Sequence, residues 1–374
     1  MRRVILLWAA LAALPLPALA LERAPALAAQ AWLLVDYDSG SVLVEHNADR
    51  PLPPASLTKL MSAYLVLEKL RAGTLKLGDP VAISRQAAMM RGSRIYLRTS
   101  SVATIEDLIK SMVVSSANDA TVALAEHVAG SEEQFVAEMN ARARIWNLQG
   151  TSFANSTGLD APGHYSTARD LTRIAAALIR DFPDYYRWFS LRDFTFNKIK
   201  HYNSNALLWR DDTVDGMKTG YTLLAGYCLI SSASREQTRL ISAVLGAHND
   251  RGRVDSNKRL LDYGFRNFET RLLYAANKPA TEVRVWLGET PSLPLGLREN
   301  LYVTLPRGWH TRVRTRLTIK DMLYAPVRYG QRLGVLAVQL DDQVFAEYPL
   351  VALKDITAGG LMQQTIDNVQ LWWR

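Results

Sequence analysis

The 374-residue chain has one cysteine, Cys228, so it cannot close an internal disulfide. Cys228 lies in Gly226-Tyr227-Cys228-Leu229-Ile230, an apolar strand-like run without a nearby histidine, and reads as a buried structural thiol. The six histidines, His46, His127, His164, His201, His248 and His310, show no ligand spacing such as H-E-x-x-H. Metal chemistry therefore has no support, and no cofactor is implied. The absence of any G-x-S-x-G elbow removes that type of Ser-His-Asp hydrolase. No run of five or more basic residues accompanies the net charge of +8, so nucleic acid is not an expected partner. A basic balance suits anionic lipid head groups or carboxylate-bearing polymers instead.

What is present is an ordinary globular composition, 48% hydrophobic and 21% charged, with a length that predicts two or three folding units. Residues 1–20 read as a secretory signal: Arg2 and Arg3, an apolar run from Val4 to Leu16, Pro17, then the small-x-small site Ala18-Leu19-Ala20. That run is too short for the roughly 20 residues that span a bilayer, and the processed chain is expected to start at Leu21.

Ala31 to Val35 and Ser41 to Val44 predict a hairpin turning at Asp38-Ser39-Gly40. Leu57 to Leu70 is amphipathic, and Thr104, Ser131 and Thr167 each open a helix with a capping box. Strands are predicted at Gly226 to Ser232 and Arg239 to Leu245, and a helix from Val254 to Phe265. Strands at both ends with helices between them imply an α+β unit over residues 21–269, whose antiparallel sheet joins distant segments. From about Lys278 the period changes to strict alternation, at Val283, Val285 and Leu287, at Val313 to Ile319, and on both sides of Asp341-Asp342. A small all-β domain is expected over residues 270–357.

The chemistry concentrates in three short motifs. In Ser56-Leu57-Thr58-Lys59 the spacing of three puts the Lys59 amine within reach of the Ser56 hydroxyl. A serine is a weak nucleophile near neutral pH and needs an adjacent base, which a lysine becomes when burial or a neighbouring cation such as Lys218 lowers its pKa. Ser116-Ala117-Asn118 follows 60 residues on from Ser56, and Lys218-Thr219-Gly220 closes the series just before the Gly226 strand. Serine-x-x-lysine, serine-x-asparagine and lysine-threonine-glycine, in that order, is the set used by penicillin-binding proteins and class A β-lactamases.

The chain resembles the low-molecular-mass penicillin-binding proteins, the D-alanyl-D-alanine carboxypeptidases, over essentially its whole length. The likeness rests on Leu52-Pro53-Pro54-Ala55-Ser56-Leu57-Thr58-Lys59, Ser116-Ala117-Asn118-Asp119-Ala120, Gly158-Leu159-Asp160, Val214 to Gly220 and Ala225-Gly226-Tyr227. It implies a penicillin-binding fold and a carboxypeptidase that removes the terminal D-alanine from peptidoglycan stem peptides and is acylated by β-lactam antibiotics. It also implies roles. Ser56 is the nucleophile, Lys59 its base and Ser116 a proton relay. Asn118 holds the substrate backbone, and Lys218 and Thr219 face its terminal carboxylate. Gly220 leaves room for close approach, Ser56 and Tyr221 supply oxyanion-hole N–H groups, and Arg253 supports carboxylate recognition.

The sequence departs from the family at Ser204, within Asn203-Ser204-Asn205, where an arginine is common; more of the carboxylate then falls to Arg253. A class A β-lactamase, the nearest rival, would add a Glu-x-x-x-Asn loop that does not stand out between Asn118 and Lys218. A non-catalytic wall-binding protein is the other alternative, and a degenerate site would have no reason to keep all five motif side chains. Finally, Leu361, Met362, Ile366, Val369, Trp372 and Trp373 recur at helical spacing behind Gly359-Gly360. Residues 358–374 are expected to form an amphipathic helix lying on a membrane surface, which would hold the enzyme at the periplasmic side of the inner membrane.

Overall fold

The computed structural model describes residues 23–373, so the expected signal segment lies outside the described residues. The predicted hairpin is present as β1 (Ala31–Asp36) and β2 (Val42–His46). Its partners come from far along the chain: β3 (Val214–Thr222), β4 (Gly226–Arg235) and β5 (Thr238–Ala247). The sheet order is β2-β1-β5-β4-β3, antiparallel throughout. In this order β3 is an end strand. Sequence reading put Lys218-Thr219-Gly220 before a strand, whereas they lie inside β3. Asp215, Gly216, Lys218 and Gly220 break the apolar alternation by which a strand is recognised.

Helices α1 (Lys59–Arg71), α2 (Ile105–Val114), α3 (Asn118–Ala129), α4 (Glu132–Ile145) and α5 (Ala168–Asp181) fill the space between β2 and β3 in sequence. The predicted caps operate: Thr104, Ser131 and Thr167 accept from the N–H groups of Asp107, Gln134 and Asp170. This cluster buries Leu60, Met112, Leu124, Phe135 and Leu171 against one face of the sheet. The other face is covered by α6 (Asp250–Asn267), capped by Asn249 and so four residues longer at its start than the apolar pattern indicates.

The all-β unit follows. β6 (Phe268–Tyr274) runs through the expected boundary, and β7 (Pro279–Trp286), β8 (Ser292–Gly296), β9 (Leu301–Pro306), β10 (Val313–Ile319), β11 (Leu323–Tyr324), β12 (Arg332–Leu340) and β13 (Gln343–Ala352) complete it. β6 pairs with β9, and the remaining strands form a six-stranded sheet in the order β10-β12-β13-β8-β7-β11. The two units meet at a buried polar knot. The fully buried Asp36 of β1 accepts from Thr270 at 2.6 Å and from Ser39, and Thr304 joins Ser39 to Thr270.

The terminal helix α7 (Leu361–Trp372) packs in the reverse of the usual sense. Its polar side faces the protein: Asp367, 1% exposed, accepts from the Leu287 N–H at 2.7 Å and from Arg284 at 3.1 Å, and Gln370 also accepts from Arg284. The apolar stripe points outward, with Leu361, Met362, Trp372 and Trp373 each at least 80% exposed. Among the described residues no helix is long and apolar enough to cross a membrane.

Candidate active site

The site forms where the start of α1, the α2–α3 junction, β3 and the 155–160 loop converge. Ser56 occupies a 3₁₀ turn, Ala55–Thr58, and the α-helix proper begins only at Lys59. In a 3₁₀ turn residues three apart eclipse one another, so Lys59 stands directly beneath Ser56. The Lys59 Nζ lies 3.0 Å from Ser56 Oγ, 2.7 Å from Asn118 Oδ1 and 2.7 Å from the Thr157 carbonyl. Two of those partners can only accept. A neutral amine has two N–H donors and one lone pair, so bonds to Asn118 and Thr157 leave the lone pair for the serine hydroxyl. Burial, and then the charge of Lys218, drive the Lys59 pKa well below its ordinary value, which favours that neutral form.

Asn118 is itself fixed. Its Nδ2 donates to the Arg91 carbonyl at 2.6 Å, which turns Oδ1 toward Lys59, and its backbone N–H bonds to the Ser93 carbonyl. The 91–97 loop is tied down next door by the buried Asp119, which accepts from the Ile95 and Leu97 N–H groups. Ser116 sits between α2 and α3, 6% exposed, at a φ of 61°. That left-handed bend lets the chain turn from the end of one helix into the start of the next.

On the opposite wall Lys218 is 2% exposed, and burial together with the nearby Arg253 cation lowers its pKa to about 7. Gly220 is where β3 presses against the nucleophile: a Cβ there would come within 3.1 Å of Ser56 N and 3.0 Å of Ala55 Cβ. A larger residue would push the strand away from the Ser56 turn. Arg253 is 6% exposed. Its guanidinium donates to the Gly220 and Cys228 carbonyls and pairs with Asp250 at 2.5 Å, so it braces β3 and β4 from the α6 side. Ser204 is exposed, while its neighbours Asn203 and Asn205 bond to the carbonyls of Leu191 and Gly216. Cys228 is fully buried, and its thiol is pushed up to about 11, as expected for a structural residue.

Three features escaped the sequence reading. The Thr157 carbonyl is a backbone group, which any residue could supply. The loop bearing it is held by Asn155, which accepts from the Gly158 N–H, and is pressed onto the nucleophile turn at Gly158. There φ is +89° and a Cβ would sit 1.8 Å from the Ala55 oxygen. The third is His164. Its Nδ1 accepts from the Ala154 N–H, so Nε2 carries the proton and donates to Thr58 Oγ1 at 2.8 Å. Burial lowers its pKa to about 4, keeping it neutral beside the base. A cleft of about 700 Å³ lies elsewhere, near the junction of the two units. Its Arg235 is paired with Asp211 and Asp262, and no nucleophile–base pair lines it.

Comparison with known proteins is consistent along the chain. Residues 19–249 match the family described as D-alanyl-D-alanine carboxypeptidase, and residues 268–358 match the C-terminal domain of penicillin-binding protein 5. The chain is 41% identical to the D-alanyl-D-alanine carboxypeptidase DacC of Escherichia coli, covering 93% of this chain and 89% of that one. The crystal structure of penicillin binding protein 5 from Haemophilus influenzae superposes with a TM-score of 0.85 at 40% identity, covering 90% of this chain and 99% of that one. Penicillin binding protein 6B from Escherichia coli gives 0.75 at 32% identity, over 88% and 97%.

Proposed function

The chain belongs to the D-alanyl-D-alanine carboxypeptidase family, and we propose that it performs that family's serine acyl-enzyme chemistry with Ser56 as nucleophile and Lys59 as base. The supporting observation is the three-partner arrangement at Lys59 Nζ, which reserves a lone pair for the Ser56 hydroxyl. In the proposed reaction Ser56 Oγ bonds to the carbonyl carbon of the penultimate D-alanine as its proton passes to Lys59. The oxyanion is held by the N–H groups of Ser56 and Tyr221. Collapse breaks the amide bond, and the departing D-alanine amine takes the proton from Lys59 through Ser116. Water, deprotonated by Lys59, then releases the shortened peptide and restores Ser56.

With Arg253 engaged by the Gly220 and Cys228 carbonyls and by Asp250, Lys218 and Thr219 are the groups assigned to the terminal carboxylate. Asn118 aligns both Lys59 and the substrate backbone. A β-lactam would follow the same first step, but its leaving group stays tethered and blocks the water. Mass spectrometry after penicillin treatment should find the adduct on the peptide containing Ser56. An adduct elsewhere, or undiminished labelling of Ser56→Ala, overturns the assignment.

The proposed location is the periplasmic face of the inner membrane, reached through the N-terminal signal and held by α7. Its support is the packing of α7, with a buried acid inward and leucine, methionine and tryptophan outward, an arrangement that suits an apolar medium on the outer side. Flotation with vesicles should retain the full chain at high salt and lose a version ending at Ala358. Equal behaviour of the two would remove the anchor.

A further inference from the structure

We propose that Leu223 and Leu224, in the turn joining β3 to β4, form an apolar subsite for the aliphatic side chain of the residue preceding the two D-alanines of the substrate. The inference rests on the proposed assignment of Ser56 and Lys218 and extends it upstream of the scissile bond.

Direction comes first. If the terminal carboxylate lies at Lys218 and Thr219 and the scissile carbonyl points to the Tyr221 N–H, the substrate runs antiparallel to β3. Because β3 ends the sheet, its outer edge is open to such an added strand. One residue further upstream is about 3.3 Å further along, which brings that residue level with Thr222, beside the turn.

The turn is built to receive something apolar. Leu223 is 90% exposed and Leu224 69% exposed. Two adjacent exposed leucines on a floppy tip would carry little meaning, but this tip is pinned. Thr222 Oγ1 donates to Asp160 at 2.7 Å and accepts from the Ala225 N–H at 3.0 Å. Leu224 also borders a small recess, about 30 Å³, with Pro53, Pro54, Leu159 and His164. Leu224, with Leu223 next to it, thus sits on a fixed scaffold beside Pro53 and Pro54, just ahead of the Ser56 turn, and apolar burial there needs no ordering of the turn.

The test uses the full chain and peptides ending X-D-Ala-D-Ala, where X is a lysine acetylated on its side chain, an alanine or a glycine. Wild type should lose about tenfold in kcat/KM from acetyl-lysine to glycine, the scale of lost apolar contacts in a specificity pocket. Leu223→Ser combined with Leu224→Ser should compress that range to about twofold, and Leu224→Met should keep it. Indifference of the wild type to X, or a full range in the double serine variant, overturns the subsite. So does loss of binding to phosphatidylglycerol vesicles with the range intact, because the turn would then be a lipid contact. Penicillin labelling of wild type, abolished in Ser56→Ala, tests the nucleophile separately, so a failed subsite is distinguishable from a failed active-site assignment.

Discussion

At Lys59 a basic side chain that cannot give up its proton separates base from scaffold. Arginine holds its proton at any pH the protein survives, so Lys59→Arg removes the lone pair while leaving donors for Asn118 and Thr157. Penicillin acylation should fall by at least about a hundredfold, read by stopped-flow or gel labelling. Lys218 supplies a pH dependence. With a pKa of about 7 it is charged below that pH and neutral above it. The kcat/KM for a carboxylate-terminated peptide should therefore decline as pH rises through about 7, and a C-terminal amide should not show that limb. The same shift has the opposite sign in stability. Between about 7 and the ordinary 10.5 the unfolded chain holds a proton that the folded chain lacks, so Lys218 makes folding more favourable as pH rises across that window. Charge-bearing side chains like these are legible in sequence because chemistry restricts their identity. Arg253 shows the limit, since its position relative to the motifs could be matched but not the Gly220 and Cys228 carbonyls and the Asp250 carboxylate that hold its guanidinium.

At the level of elements, the site depends on two loops pressed against helix ends. Asp119 holds the 91–97 loop through two backbone N–H groups, and Asp119→Ala leaves both donors without their carboxylate. A loss of about 2–4 kcal/mol is expected in urea unfolding, with slower penicillin labelling because Asn118 loses its Arg91 partner. Gly158→Ala forces a Cβ into the Ala55 carbonyl at a left-handed φ, so the nucleophile turn must move. Its acylation rate should fall more than its melting temperature does. The hairpin, the capped helices and the alternating strands were readable because local pattern and tertiary role agree. β3 was not, because four of its nine positions serve close approach, charge or a neighbouring ion pair rather than a packed face. The Thr157 loop was equally opaque, since its contribution is a carbonyl oxygen.

For the molecule as a whole, the two units are joined through Asp36, Thr270, Ser39 and Thr304. Thr270→Val keeps the shape and removes one donor to a buried carboxylate, which should cost about 1–3 kcal/mol. Calorimetry should show the single heat-absorption peak broaden toward two, while turnover of a short soluble peptide stays near wild type. Length suggested two or three units and the change of period near Lys278 an all-β one, but a knot assembled from residues 36 and 270 is a long-range pairing with no local signature.

The inward acid of α7 carries a consequence for how such a molecule meets a surface. A peptide that coils in water and folds on a bilayer must give up conformational freedom at the moment it lands. Here Asp367, Arg284 and the Leu287 N–H have already fixed the helix, so landing gives up only tumbling and drift. On the proposed membrane placement, arrival and departure would both be quick, and the groove beside Ser56 would keep the same heading at every visit.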